Sequence, residues 1–512
     1  MISPLFMAKN ISSKSILSLN DSIRAWSLTK NSPIFINRRM VFISTNLLYI
    51  KKYIKSIKEQ KGDRYKKESE PSPYFLGKLT FNGGLHLKEQ KHRTENKSIR
   101  ELSLPRRVVI PLSQHTGRPS VPIVSKGDTV LCGQKIGNSE GKISAVIHSS
   151  ISGKVVDICL WNHPIIKEPV TSIVIESDGL DSHIESQKKY ADYYRYSADE
   201  LRDVIKEAGI VGMGGAAFPT HVKLSPPTEV DTILLNGCEC EPYLTCDDKL
   251  MQEYPKDIIE GLKIMMYVLD IYSAVVVIED NKKKAIESIS KIIFNEPNIR
   301  LEVIKTKYPQ GAEKQLIKAV LRRTVPSGKL PFDVGVLVQN VGTSLAICNA
   351  VKNAKPLTSR VVTVTGDCIE EPGNYLVRIG TIVSDLLEEC GYVPNNKHKV
   401  ILGGPAMGIA QGDLNVPVIK GTSGILVVPL RNQTYSEFYS CIRCGKCIDV
   451  CPMELMPNMI SISVESELWE QAAVFSPSDC IECGCCAYEC VAKRPLVQHI
   501  KLAKRKSPSA PL

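Results

Sequence analysis

Seventeen cysteines are spread over 512 residues, and nine of them fall between residues 441 and 490, eight at a regular spacing. They form two runs, Cys441-Ile-Arg-Cys444-Gly-Lys-Cys447-Ile-Asp-Val-Cys451 and Cys480-Ile-Glu-Cys483-Gly-Cys-Cys486-Ala-Tyr-Glu-Cys490. Each reads C-x2-C-x2-C-x3-C, the spacing that holds a pair of 4Fe–4S clusters. Three thiolates two residues apart wrap a loop around one face of a cube. The fourth lies a helical turn beyond and faces the other cube. Cys441, Cys444, Cys447 and Cys490 are therefore expected to hold one cluster, and Cys451, Cys480, Cys483 and Cys486 the second. Gly445 and Gly484 let the backbone come close to the sulfurs. Zinc sites use pairs of C-x2-C with a longer gap, not two triplets each followed by a fourth cysteine. Val491 stands where Pro452 follows the first run, and Cys485 is an extra thiol expected to pack.

A second constellation lies near the middle of the chain. Gly209-Ile-Val-Gly212-Met-Gly214-Gly215-Ala-Ala-Phe218-Pro219-Thr220 is too rich in glycine for a helix interior. Such a loop presents backbone N–H groups to a phosphate, with Lys223 nearby as a cation. Asn236-Gly-Cys-Glu239-Cys-Glu241-Pro242 directly follows an apolar run, Thr232 to Leu235. That puts an amide and carboxylates at the C-terminal edge of a strand, where ligand sites of α/β sheets form. Cys238, Cys240 and Cys246 have gaps that match no cluster and are expected to pack.

The elements that position these residues read as several domains, since the chain exceeds the size at which one core keeps growing. Residues 1–75 form a basic, poorly ordered extension and linker, ending in the charged Lys61-to-Pro73 stretch. Residues 76–185 read as short strands and turns that resemble the barrel-sandwich hybrid of biotinyl and lipoyl carriers. Lys154 lacks those carriers' modification setting, so the unit reads as structural. Residues 186–358 alternate helix and strand: helix from Ala198 to Ala208, strand at Thr232, helix from Asp257 to Leu269, strands at Ala274, Leu301 and Val334. Alternation of this kind means a parallel sheet. Residues 359–432 form a smaller β-rich unit with one helix near Val383, residues 433–500 the cysteine domain, and residues 501–512 a basic tail.

Composition narrows the function. Of the net charge of +11, residues 1–70 carry 14 − 5 = +9, leaving +2 for the rest. The basic excess is terminal, and no aromatic-basic interleaving accompanies it, so nucleic acid is not expected as a partner. No stretch approaches eighteen apolar residues, so no membrane-spanning helix is expected. The clustered, triplet-spaced cysteines point to metal in a reducing compartment and not to disulfides.

Taken together, Gly212 to Thr220, Asn236 to Pro242, Tyr308-Pro-Gln-Gly-Ala-Glu-Lys-Gln-Leu316, Val338-Gln-Asn-Val-Gly-Thr343 and the double cysteine run closely resemble the RnfC/RsxC family of the Rnf/Rsx ion-translocating electron transport complex, over about residues 78–500. That family resembles in turn the flavin-binding subunit of respiratory complex I. The resemblance implies a multidomain α/β plus α+β chain: barrel-sandwich β unit, Rossmann-like flavin/NADH domain, β-grasp (SLBB) domain and two-cluster ferredoxin-like domain. It implies that Gly212, Gly214 and Gly215 hold FMN phosphate or nicotinamide nucleotide, with Lys223 assisting. Asn236, Glu239 and Glu241 would line the isoalloxazine and ribose. Gln339, Asn340 and Thr343 would close the pocket, and Glu313 would stand near the nicotinamide. Ala217 replaces the last loop glycine, and Cys238 the complex I aspartate.

The implied activity is that of an ion-translocating oxidoreductase subunit, passing electrons between NADH and ferredoxin through FMN and two 4Fe–4S clusters. Its implied partners are integral-membrane and redox subunits and a ferredoxin-like carrier, on the cytoplasmic side of the cell inner membrane. A soluble NADH:ferredoxin oxidoreductase component, and a non-catalytic iron–sulfur relay or adaptor that binds no nucleotide, stand as the alternatives.

Overall fold

The computed structural model describes residues 79–185, 189–430 and 438–506. The extension and linker expected over residues 1–75, and residues 507–512 of the expected tail, lie outside them.

β-Branched residues dominate the first unit and form two small sheets. One is antiparallel, in the order Arg107–Pro111, Val170–Ser177, Gly153–Trp161, Thr129–Val130; the other is Val121–Pro122, Lys135–Asn138, Ile147–His148. Their facing residues, among them Val108, Ile110, Ile136, Ile147, Val155 and Ile173, make one core. Gly153 is required here: a Cβ on it would lie 1.8 Å from the Glu176 carbonyl oxygen.

The middle unit is built on a four-stranded parallel sheet in the order Ile299–Ile304, Ser273–Glu279, Thr232–Gly237, Val336–Asn340. A parallel sheet is covered on both faces, so its strands are continuously apolar. Ile233, Leu235, Val276 and Ile278 pack to one side. Leu234, Val275, Val277 and Val338 pack to the other. Helices Pro255–Leu269 and Val341–Asn353 cover the first face and cross where Gly261 meets Ser344. From the first strand the chain winds outward through 273–279 and 299–304, then returns to place 336–340 on the other flank. The reversal of winding therefore lies between Thr232–Gly237 and Val336–Asn340, and that is where ligand crevices open in such sheets.

The next unit holds a six-stranded mixed sheet in the order Ile99–Glu101, Gly373–Arg378, Ser359–Thr365, Gly424–Pro429, His398–Leu402, Ile409–Gln411. Its edge strand, Ile99–Glu101, comes from the N-terminal part of the 76–185 stretch, with Arg100 opposite Tyr375. The last unit is helical, and Cys447, Ile460, Val464, Cys486, Leu496 and Ile500 share its core. Its closing helix, Leu496–Lys506, carries regular structure into the stretch expected from sequence to be tail. Among the described residues, no helix is long and apolar enough to cross a membrane.

Candidate functional site

Both cysteine runs fold alike. Gly445 and Gly484 take left-handed conformations, φ 79° and 81°, and a short helix starts directly after each. Cys441, Cys444, Cys447 and Cys490 line one cavity. Burial pushes the Cys447 thiol up, and Cys441, Cys490 and Cys444 add to it. Around the second group, burial pushes the Cys480 thiol up to about 11, with Cys483 and Cys451 contributing. The Cys486 thiol is likewise raised, first by burial and then by Cys483, Cys480, Cys451 and Cys447. Two sets of four soft donors thus converge side by side, each mixing both runs. That donor chemistry fits two 4Fe–4S clusters. Cys485 is fully buried in an apolar cluster with Leu85 and Tyr308.

The two sets differ in surroundings. Cys444 is exposed and its neighbour Ile442 is 67% exposed, so the first set stands at the surface. The second lies against the parallel-sheet unit. The Tyr308 hydroxyl donates to the Cys483 carbonyl at 2.7 Å. Gly84 N donates to Val450 O at 2.8 Å, and Gln315 Nε2 to Pro452 O at 3.1 Å.

At the reversal point of the sheet, Asn236 and Asn340 face each other in register. Asn236 Nδ2 donates to Gly311 O at 2.9 Å, and its Oδ1 accepts from Cys238 N. Asn340 Oδ1 caps helix Val341–Asn353 by accepting from Gly342 N, and its Nδ2 donates to Asp247 Oδ2 at 2.7 Å. The glycine-rich loop reaches this crevice: Met213 N donates to Thr343 Oγ1 at 2.9 Å. A Cβ on Gly214 would lie 3.4 Å from the Asn340 Cβ. Gly212 N donates to Phe218 O, which closes the loop, while Gly215 faces open space with φ 109°. Gln339 Nε2 and both amide atoms of Gln310 are buried without a protein partner. Buried polar atoms without partners, on residues adjacent in sequence to Gly311 and Asn340, suit a polar ligand such as a flavin nucleotide.

The acidic residues are placed differently from the amides. Glu239 turns to the start of helix Cys246–Glu253, where its carboxylate accepts from Asp247 N at 2.9 Å and Cys246 Sγ at 3.3 Å. Glu241 accepts from Ala406 N and Met407 N, 3.1 and 2.8 Å, in the Gly403-Gly404-Pro405 turn of the following unit. Glu313 pairs with Lys223 at 2.5 Å at the surface. Cys238 Sγ donates to Val277 O, and Cys240 Sγ accepts from Gly311 N, so these thiols and Cys246 have separate partners.

Several residues of the site carried no sequence signal. Asp247 is half-buried and accepts from Asn340; loss of hydration, then Glu239, raises its pKa to about 7. Lys91, from the N-terminal part of the 76–185 stretch, donates to the carbonyls of Glu239 (2.9 Å), Glu241 (3.1 Å) and Leu244, clamping the acidic turn. Lys282 pairs with Glu279 at 2.8 Å; burial opposes its charge, but Glu279 and Glu239 outweigh that and raise its pKa. Elsewhere Cys132, Asp181 and His183 approach within 4.8 Å of one another. There the Arg378 guanidinium donates to Cys132 Sγ and Asp181 Oδ2 and supplies the positive charge itself.

Residues 79–180 match the RnfC barrel sandwich hybrid domain, 205–349 the Nuo51 FMN-binding domain, 361–410 the SLBB domain and 434–491 the 4Fe-4S dicluster domain. The RnfC-type component of the proton-translocating ferredoxin:NAD(+) oxidoreductase complex of Clostridium ljungdahlii is 46% identical over 434 residues, 84% of this chain and 94% of that protein. Its Na(+)-translocating counterpart from Acetobacterium woodii is 44% identical, over 83% of this chain and 97% of that protein. Among solved structures, an NAD+-reducing NiFe-hydrogenase in the H2-reduced state shows a weaker likeness, with a TM-score of 0.43 and 17% identity over 63% of this chain and 66% of that chain. The extent and identity of the two curated matches place the chain in a family: it belongs to the RnfC family, a component of the ion-translocating ferredoxin:NAD(+) oxidoreductase complexes.

Proposed function

We propose that the chain is the electron-transfer subunit that connects NADH to the rest of such a complex. In this reading Gly212, Gly214, Gly215, Asn236, Gln339, Asn340 and Thr343 hold FMN at the reversal point of the sheet. FMN held there would supply hydride acceptance and one-electron release, and 4Fe–4S clusters on the two cysteine sets would supply one-electron transfer. Cys451, Cys480, Cys483 and Cys486 form the inner ligand set, on the crevice side. Cys441, Cys444, Cys447 and Cys490 form the outer set, at the surface, which is the order in which electrons would traverse the chain. Lys223, paired with Glu313, stands beside the loop as a cation for phosphate; Glu239 and Glu241 shape the acidic turn through the helix and the turn they bond.

The observation that carries this reading is the loop Tyr308–Gly311. Its Gly311 carbonyl accepts from Asn236 in the crevice, and its Tyr308 hydroxyl reaches Cys483 of the inner set. Four residues thus join the nucleotide crevice to one cluster half. The finer fold assignments belong to the same proposal: Rossmann-like for 186–358, β-grasp for 359–432 and ferredoxin-like for 433–500. So does attachment to the cytoplasmic side of the cell inner membrane through integral-membrane and redox partners, with a ferredoxin-like carrier as the other redox end.

The test is anaerobic reconstitution, followed by iron, sulfide and flavin counts and EPR after NADH addition. The reading requires bound flavin and NADH-reducible cluster signals. Full cluster content with no flavin bound would instead favour the relay without nucleotide, a reading supported by the protein partners that Glu239 and Glu241 already have.

A further inference from the structure

The barrel-sandwich unit has no ligand of its own in the proposed electron path, yet it touches the glycine-rich loop at a telling place. Thr116 Oγ1 donates to Ala216 O at 2.9 Å, and Thr116 N donates to Ala217 O at 3.1 Å. A peptide unit is planar and trans, so its N–H points opposite to its C=O. Drawing the carbonyls of Ala216 and Ala217 toward Thr116 therefore turns the N–H groups of Ala217 and Phe218 to the other side of the loop. A loop that binds phosphate needs its amides aligned in this way.

Ala217 makes the contact more than incidental. It sits at φ 49°, in the left-handed region, with a Cβ that glycine would lack. That conformation crowds a Cβ against the following carbonyl oxygen, so something outside the loop must hold it. Ala217 is 8% exposed and packs with Ala145 of the barrel-sandwich unit, Val211, Met213 and Ile379. The turn carrying Thr116 is itself anchored. Its neighbour Gln114 is buried, and Gln114 Oε1 accepts from Lys420 N at 3.1 Å. The buried Lys420 Nζ in turn donates to Val146 O at 2.8 Å and to Gly209 O, at the start of the loop, at 2.7 Å.

We propose that Thr116 is a positioning residue of the nucleotide site: the barrel-sandwich unit clasps the Gly212–Thr220 loop from behind and fixes its amides for the phosphate. This rests on the reading that the loop holds FMN or a nicotinamide nucleotide. In place of the glycine that would relax the loop, this chain has an alanine, and the neighbouring unit supplies the restraint.

The experiment compares wild type, Thr116→Val and Thr116→Ser as anaerobically prepared holo-protein, with iron content as the control for folding. Free FMN is the probe, and hydrogen exchange is followed in the 212–220 peptide. Removing the hydroxyl should weaken FMN binding about 3- to 10-fold and speed exchange in that peptide. Thr116→Ser, which keeps the hydroxyl, should restore both. Wild-type affinity and wild-type exchange in Thr116→Val would overturn the proposal. If wild type binds no FMN, the flavin reading fails, and the exchange comparison alone still decides for or against the clasp.

Discussion

The Tyr308 hydroxyl donates a 2.7 Å hydrogen bond to the backbone carbonyl of Cys483, joining the sheet unit to the loop that carries one cysteine set. The same residue forms a two-way backbone bridge with Leu85, 2.8 Å in each direction. Tyr308, Leu85, Cys483 and Cys485 pack as one apolar cluster. The hydroxyl is thus in a dry setting, where a lost bond leaves its acceptor unsatisfied. Tyr308→Phe should lower stability by about 1–3 kcal/mol in anaerobic urea unfolding. It should also perturb the EPR of the inner set and spare the outer one. Equal perturbation of both signals would contradict the placement of Tyr308.

Ligand sets that mix the two runs make an unusual demand on mutants. Cys490→Ser should remove the cluster of Cys441, Cys444 and Cys447, which belong to the other run, and roughly halve the iron. Cys451→Ser should remove the cluster of the second triplet instead. Cys485→Ala should keep both, because Cys485 is buried among Leu85 and Tyr308. Iron counts and EPR on the three variants check this, and a Cys490→Ser protein that loses the cluster of its own triplet would refute the mixed sets.

How much of this was legible in the sequence follows from the range of each interaction. The cysteine runs carry their chemistry in spacing alone. The parallel sheet was visible because strands buried on both faces read as apolar runs such as Thr232 to Leu235 and Ala274 to Ile278. The strand at 232 in fact continues to Gly237, because Asn236 and Gly237 pair with Val277 and Ile278 although their types suggest a turn. Helix Glu313–Leu321 was hidden inside a motif read for its chemistry. Most partners of Glu239 and Glu241 could not be read, since they are backbone amides, one group at a helix start and the other 165 residues away in the next unit. Lys91 is equally invisible: it acts on carbonyls 148 to 153 residues distant.

Lys91 offers a sharp test of how the acidic turn is held. Its ammonium is buried, bonds three carbonyls and lies 3.8 Å from Glu239 Oε2. Lys91→Met would leave the Glu241 and Leu244 carbonyls without this donor, and the buried Glu239 with Lys282 as its remaining nearby cation. Loss of one partner from such a buried arrangement destabilises by about 3–5 kcal/mol. Anaerobic urea unfolding should show that loss, together with weaker FMN retention. An unfolding midpoint unchanged from wild type would mean that the turn is held by other contacts.

Asp247 gives the molecule a pH dependence whose sign can be worked out. Its carboxyl, half-buried, lies beside Glu239, and its pKa rises from the ordinary 3.8 to about 7. Between those two values the folded protein keeps a proton that the unfolded chain releases. Stability from this group is therefore complete below about 3.8 and is lost as pH rises through about 7. Asp247→Asn cannot ionise and still presents an oxygen to the Asn340 amide, which donates to Asp247 Oδ2 at 2.7 Å. The variant should therefore gain on wild type as pH rises from 5.5 to 8, by about 2–4 kcal/mol at the alkaline end. Anaerobic unfolding of both proteins across that range measures the difference directly. A gap between them that stays constant with pH would mean that Asp247 titrates with its ordinary pKa, and that Glu239 does not crowd it.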